Sequence, residues 1–338
     1  MKPKFTLFDR REFLGIGSKI GMLATLLRSG GVSADTPPVN RNPFAYSAPK
    51  PELISPELLT HETVTEWSAP RRETKRVAVG PDGRIYLCAG NYVSVVTPEE
   101  TLVLEFALPD LACCVAVAKD GQVFAATRNH IEVFDANGKR VAQWDSAGRK
   151  SWLTGLAVDD QQVFAADSGN RIILRYDRAG KLLGRWGEKD NGNAPGFVVP
   201  SPYLSVRFHP DGLLRVNNPG RHQVEAYTLE GSFEGAWGRP SAGLKDFCGC
   251  CNPIAMAVLP DGRIVTAEKG IPRVKVYAAD GHFQSVAAGT ESFVENAKAC
   301  SDLNDCTRGG MDLAADAQGR IYLLDVVTNR VRVMKQKA

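Results

Sequence analysis

The chain has 338 residues, of which 43% are hydrophobic and 23% charged, a globular composition that excludes a disordered or collagen-like protein. Eight cysteines are too dilute for a small disulfide scaffold, and the net charge is only +3. Six of the 41 basic and two of the 38 acidic residues fall in positions 1–34, which leaves 35 against 36, a net of −1, and no case for nucleic acid as a partner.

The N-terminus reads Asp9-Arg10-Arg11-Glu12-Phe13-Leu14, then a mildly apolar run from Gly15 to Leu27, then Val32-Ser33-Ala34. That run is too short to span a bilayer, which takes about 20 residues. One reading is an amphipathic helix with two ordinary arginines. The order basic, apolar, small resembles a twin-arginine export signal. The resemblance implies a signal peptide over 1–34 and export of an already folded protein to the periplasm or another extracytoplasmic space. Residues 35–60 hold six prolines without apolar periodicity and are read as a linker or a surface-hugging tail.

From residue 61 onward one unit recurs six times: an apolar strand, an Asp-Gly-type turn, a second strand, a polar turn, a third strand ending in an aromatic, and a fourth often ending in Trp-Gly. The first hairpins are RVAVGPDGRIYL (76–87), CVAVAKDGQVF (114–124), GLAVDDQQVF (155–164), SVRFHPDGLLRV (205–216), MAVLPDGRIV (256–265) and DLAADAQGRIYL (312–323). Short, evenly spaced strands predict an all-β six-bladed β-propeller with four antiparallel strands per blade. The last unit lacks a fourth strand, and HETVTEWS (61–68), with Trp67 placed like Trp144, Trp186 and Trp237, is predicted to supply it and close the ring. The domain therefore covers 61–338, and a monomer is expected.

The segments IYL, VFAADSGNRI and LLDVVTNRV resemble the NHL repeat, and AADSGNRIILRYD (165–177) carries the resemblance best. FCGCCNP (247–253) followed by AEKGIPRVKVY is similar to a group of exported bacterial NHL proteins. An NHL-type propeller is the fold this implies.

Calling the face where inner strands begin the top, the surplus residues between repeats fall in 188–203, 239–253 and 290–310, all top connections. Long loops gathered on one face of a rigid scaffold are where function concentrates. Seven cysteines map there too: Cys113 and Cys114, then Cys248, Cys250 and Cys251, then Cys300 and Cys306. Cys88 is read as a core thiol. Three chemistries fit the top-face set. Disulfides would pin the loops in an oxidising compartment. Cys248, Cys250, Cys251, Cys300 and Cys306 would also make a thiolate metal or iron–sulfur site, although their spacing matches no usual zinc or ferredoxin pattern. A redox dithiol or vicinal disulfide at Cys113-Cys114 or Cys250-Cys251 is the third.

Second strands end in Thr127, Asp167, Asn218, Glu268 and Asp325. A carboxylate ring would hold a divalent cation. The simpler reading pairs Asp167 with Arg171, Glu268 with Arg273 and Asp325 with Arg330 as turn latches, which the NHL resemblance also favours. Where six blades converge, small residues recur at the axis and Arg207 breaks the rule. Arg76, Arg207 and Asp312 are candidate polar groups of the channel mouth, or an internal ion pair. The five histidines form no cluster of the kind found in amidating lyases of this fold, and no hydrolase, nucleotide-binding or haem-attachment motif is present. The expectation is an exported binding or scaffold module whose Cys-rich top face takes a protein partner or small ligand. The rivals are a thiolate-centred redox or metalloprotein and a propeller-type lactone or ester hydrolase using Asp312 and Glu268.

Overall fold

Short apolar strands joined by tight turns bury both faces only by packing sheet against sheet, and the chain does this in a ring. The computed structural model describes residues 52–188, 195–295 and 310–338. Blades 1 to 5 span 74–107, 114–143, 153–186, 205–237 and 255–288, each a sheet of four antiparallel strands in sequence order. Blade 6 takes Met311–Ala315, Ile321–Asp325 and Arg330–Gln336 from one end of the chain and His61–Ser68 from the other. The closing register runs from His61 opposite Gln336 to Ser68 opposite Arg330, with a bulge between Thr63 and Thr65. Consecutive inner strands touch around the axis, and the sixth touches the first. This is the six-bladed propeller expected, closed by the expected strand.

One packing device repeats between blades. The aromatic at the end of an outer strand stacks on the third-strand aromatic of the next blade: Phe106 on Phe134 at 4.3 Å between ring centroids, Trp144 on Tyr176 at 5.1 Å, Trp186 on Tyr227 at 4.5 Å and Trp237 on Tyr277 at 4.4 Å. The last three rings each cover a turn glycine of that next blade, Gly180, Gly231 or Gly281. These glycines have φ of 93°, 93° and 89°, and a Cβ on them would stand 2.5, 2.3 and 2.2 Å from the indole. Glycine is required there both by the left-handed backbone and by the ring above it. The Trp-Gly and turn-glycine periods of the sequence are thus two halves of one joint.

Within the Pro-rich segment, Pro56–Leu58 forms a single 3-10 turn. Leu59 bridges Val286 of blade 5, and Glu52 accepts the Leu244 amide at 2.8 Å, so the described part lies along the propeller. Among the described residues no helix is long and apolar enough to cross a membrane.

Candidate functional site

The axial channel has three levels. Its lower part, about 380 Å³, is walled by small and apolar residues of the inner strands, including Ala78, Ala116, Ala157, Ala257 and Ala314. Above it lies a waist of about 20 Å³ lined by Arg76, Cys114, Thr154, Tyr203, Arg207 and Asp312. A funnel of about 460 Å³ opens from there to the top face. Leu111, Trp152, Tyr203 and Met311 form its apolar walls, with Cys113, Arg128 and Arg76 among the polar groups. A cavity of this size, mostly apolar with a few converging polar groups, is what small-molecule sites look like.

The walls come from the connections. Trp152 ends the link into blade 3, 39% exposed, and the Arg128 guanidinium lies 5.2 Å over its ring. Tyr203 ends the link into blade 4, and Lys269 sits 4.8 Å over its ring. Burial pushes the Cys113 thiol up, and Arg76 opposes that shift in part, so this thiol is neutral at pH 7. Cys114 is pushed up too, again by burial.

At the waist, the Asp312 carboxylate accepts the Val77 amide at 2.8 Å. Burial raises its pKa, against the pull of Arg76 and Arg207. Arg76 donates to the carbonyls of Lys75 at 3.1 Å and Pro202 at 3.5 Å, and Arg207 to that of Val206 at 2.9 Å. Burial works against the charged form of both; the acidic groups around them, Asp312 first among these, together outweigh it at Arg76 but not at Arg207. The structure therefore brings together all three residues expected at the channel mouth, one level below the funnel.

The Cys-rich connection is held from beneath by blade 5. Glu268, wholly buried, accepts the Arg273 guanidinium at 2.8 Å and lies 3.1 Å from the Lys275 ammonium. Its other oxygen accepts the Cys248 amide at 3.0 Å. Lys275 also donates to the Leu244 carbonyl at 3.1 Å and stands 4.7 Å over the Phe247 ring. Burial lowers its pKa to about 8. Asn252 exchanges two hydrogen bonds of 2.9 Å with the Lys269 backbone and donates to the Cys248 carbonyl. His222 Nε2 meets the Gly249 carbonyl at 2.7 Å. The sulfurs of Cys250 and Cys251 lie 3.3 Å apart, and Cys251 reaches Ser201 Oγ at 3.3 Å. Among the described residues Cys88, Cys113, Cys114, Cys248 and Cys251 are unbonded thiols, and no three Cys, His, Asp or Glu side chains converge as a metal site would need. Cys300 and Cys306 lie outside the described residues. Cys88 is fully buried between blades 1 and 2, where burial raises its pKa well above the usual thiol value.

Of the three expected latches, Glu268–Arg273 forms. Asp167 instead accepts the backbone amides of Trp152, Gly169 and Asn170 at 2.9–3.1 Å and the Asn170 side chain at 2.7 Å. Its oxygens are thereby occupied, and the Arg171 side chain is exposed. Asp325 accepts the amides of Val327 and Thr328, and Arg330 pairs with Glu66 on the closing strand. These carboxylates hold turns by capping backbone donors; at Asp167 the capping takes the place of the expected pairing with Arg171, and Arg330 is engaged by Glu66. Sequence reasoning passed over the funnel walls. A signal was present in Trp152: of the five tryptophans it is the one that does not follow the fourth-strand pattern.

No family model matches the chain, and no curated protein matches it in sequence. Solved structures of the same shape do match. A streptogramin B lyase superposes with a TM-score of 0.53 at 14% identity, over 80% of this chain and 81% of that one. Virginiamycin B lyase from Staphylococcus aureus gives 0.57 at 11% identity, over 82% and 100%. A catalytically inactive histidine-to-alanine form of the same lyase, solved with quinupristin, gives 0.54 at 11% identity, over the same shares. Identities this low speak for the six-bladed fold alone.

Proposed function

We propose that the chain is an exported NHL-type propeller, cleaved after Ala34 and monomeric, that binds a small ligand in the top-face funnel. The observation that carries this is the funnel itself: about 460 Å³, with Trp152 and Tyr203 as aromatic walls over a charged floor. The cysteine-bearing connections shape the rim, and cross-links involving Cys300 and Cys306 would fix it further after export.

The lyase neighbours make catalysis the natural rival, but all five histidines are described and none lines the funnel. The two acids a hydrolase metal would need are engaged, Glu268 by Arg273 and Lys275, and Asp312 between two arginines that repel a cation. The thiolate-centre reading rests on Cys250 and Cys251, whose sulfurs lie 3.3 Å apart on the same face. Metal analysis, a visible spectrum and thiol counting on the exported protein separate these readings. Thermal-shift screening with a small-molecule set follows, using the Trp152→Ala variant as control. Ligands that stabilise the native protein and lose at least about tenfold in affinity in the variant support the binding reading. Colour or stoichiometric metal, or hits indifferent to Trp152, would replace it.

A further inference from the structure

The waist holds more positive charge than it can neutralise. Arg76 and Arg207 are set there against one carboxylate, Asp312, and among the described residues neither guanidinium forms a salt bridge with it. Among the described residues their acceptors are backbone carbonyls, one for Arg207 and two for Arg76, against five donors on each guanidinium. The thiols of Cys113 and Cys114 do not make up the deficit, because burial keeps them protonated. Higher up, charges of both signs share the rim: Lys75 and Arg128 beside Glu73 and Asp110. The surplus is therefore local to the channel floor. Its free space, about 20 Å³, takes one water-sized group, while the funnel above takes a far larger apolar body. Arg76 lines both spaces, so its free donors face whatever occupies the junction.

We propose that the funnel ligand is an organic acid with an aromatic or similarly flat apolar body. Its body lies against Trp152 and Tyr203, and its carboxylate points down to Arg76 with Arg207 beneath. This rests on the funnel reading above and adds the ligand's charge and orientation. A carboxylate supplies the missing negative charge at the depth where the dielectric is low and an ionic hydrogen bond is strong. A small inorganic or one-carbon anion would satisfy the floor but leave the funnel walls unused.

The test uses the protein without its N-terminal 34 residues, and calorimetric titration with three probes: naphthylacetate, its neutral isostere naphthylacetamide, and sodium formate. Naphthylacetate is expected to bind at least about tenfold more tightly than the amide, and the preference should shrink as salt is raised. Arg76→Gln should erase the preference while leaving amide binding in place; Arg207→Gln, a second variant in case the first misfolds, should reduce it. Trp152→Ala should weaken both naphthyl probes alike. Equal binding of acid and amide overturns the anionic assignment and leaves the funnel reading standing. Formate binding as tightly as naphthylacetate overturns the organic-acid assignment in favour of a small-anion seat. Binding of no naphthyl probe, together with an absence of Trp152-dependent hits in the wider screen, overturns the funnel reading itself.

Discussion

Glu268 ties two buried cations to the Cys-rich connection, and Glu268→Gln tests whether blade 5 organises that connection. The substitution keeps the shape and removes the charge. Arg273 and Lys275, both wholly buried, then lose the anion that pairs with them at 2.8 and 3.1 Å, and the Cys248 amide loses a charged acceptor. Breaking a buried ion pair on one side costs about 3–5 kcal/mol, because the remaining charges stay desolvated. For a domain of this size that lowers the melting temperature by at least about 6 °C. Lys275 makes the deficit depend on pH. Its folded pKa is about 8, below the ordinary value of 10.5, chiefly through burial, and Glu268 is what holds it that high. Without the carboxylate the folded pKa falls further while the unfolded one does not move. Between the two values the unfolded state binds the extra proton, so the variant gains stability as pH rises, starting well below pH 8. Urea unfolding at pH 6, 7.5 and 9 reads this directly. A deficit under about 1 kcal/mol, or one that does not change across that range, would refute the account.

Two further outcomes follow from the packing. Gly281→Ala should destabilise by about 2–4 kcal/mol through the Trp237 clash and the left-handed backbone, whereas Gly212→Ala, at φ 86° with open space around its Cβ, should cost only about 1 kcal/mol; equal losses in denaturant midpoints would show that strain, not the indole, dominates. His61, in the closing strand, has its pKa lowered to about 4 by burial first and then by Arg263 and Lys337, so the unfolded chain takes up a proton below about 6.5 that the folded one refuses. Stability should therefore fall as pH drops from about 6.5 towards 4, and His61→Gln should flatten that limb of the acid-unfolding curve, unless closure is insensitive to this proton.

The blades were legible because a turn and a strand carry local signatures that repeat. Asp-Gly turns, alternating apolar residues and the outer-strand tryptophans recur at related spacings, and Trp67 announced a strand belonging to the far end of the chain. Glu268–Arg273 was legible for a similar reason: the two are directly opposed across neighbouring strands. Arg330 is equally opposed to Asp325, yet the closing strand places Glu66 within its reach, a partner more than 250 positions away that no local spacing announces. At Asp167 three backbone amides and an amide side chain fill both oxygens, and such capping depends on turn geometry rather than on residue identity. The axis was partly legible, since a repeated small residue interrupted by Arg207 marks a place where blades converge.

The funnel walls had no period to betray them, because they come from connections, but their origin links the two features of the top face. Tyr203 is tied through its amide to the Ser201 carbonyl at 2.7 Å, and Ser201 Oγ meets the Cys251 sulfur at 3.3 Å. From the other side, Lys269 covers the Tyr203 ring while its backbone is clamped by Asn252 of the same Cys-rich segment. Asn252 in turn binds the Cys248 carbonyl, and the Cys248 amide rests on Glu268. One wall of the funnel is thus braced, contact by contact, against the buried charges of blade 5. The Cys-rich connection therefore frames the funnel rather than standing apart from it. A change at Glu268 should be felt at Tyr203 before it is felt at Trp152, whose amide is held separately by Asp167 of blade 3.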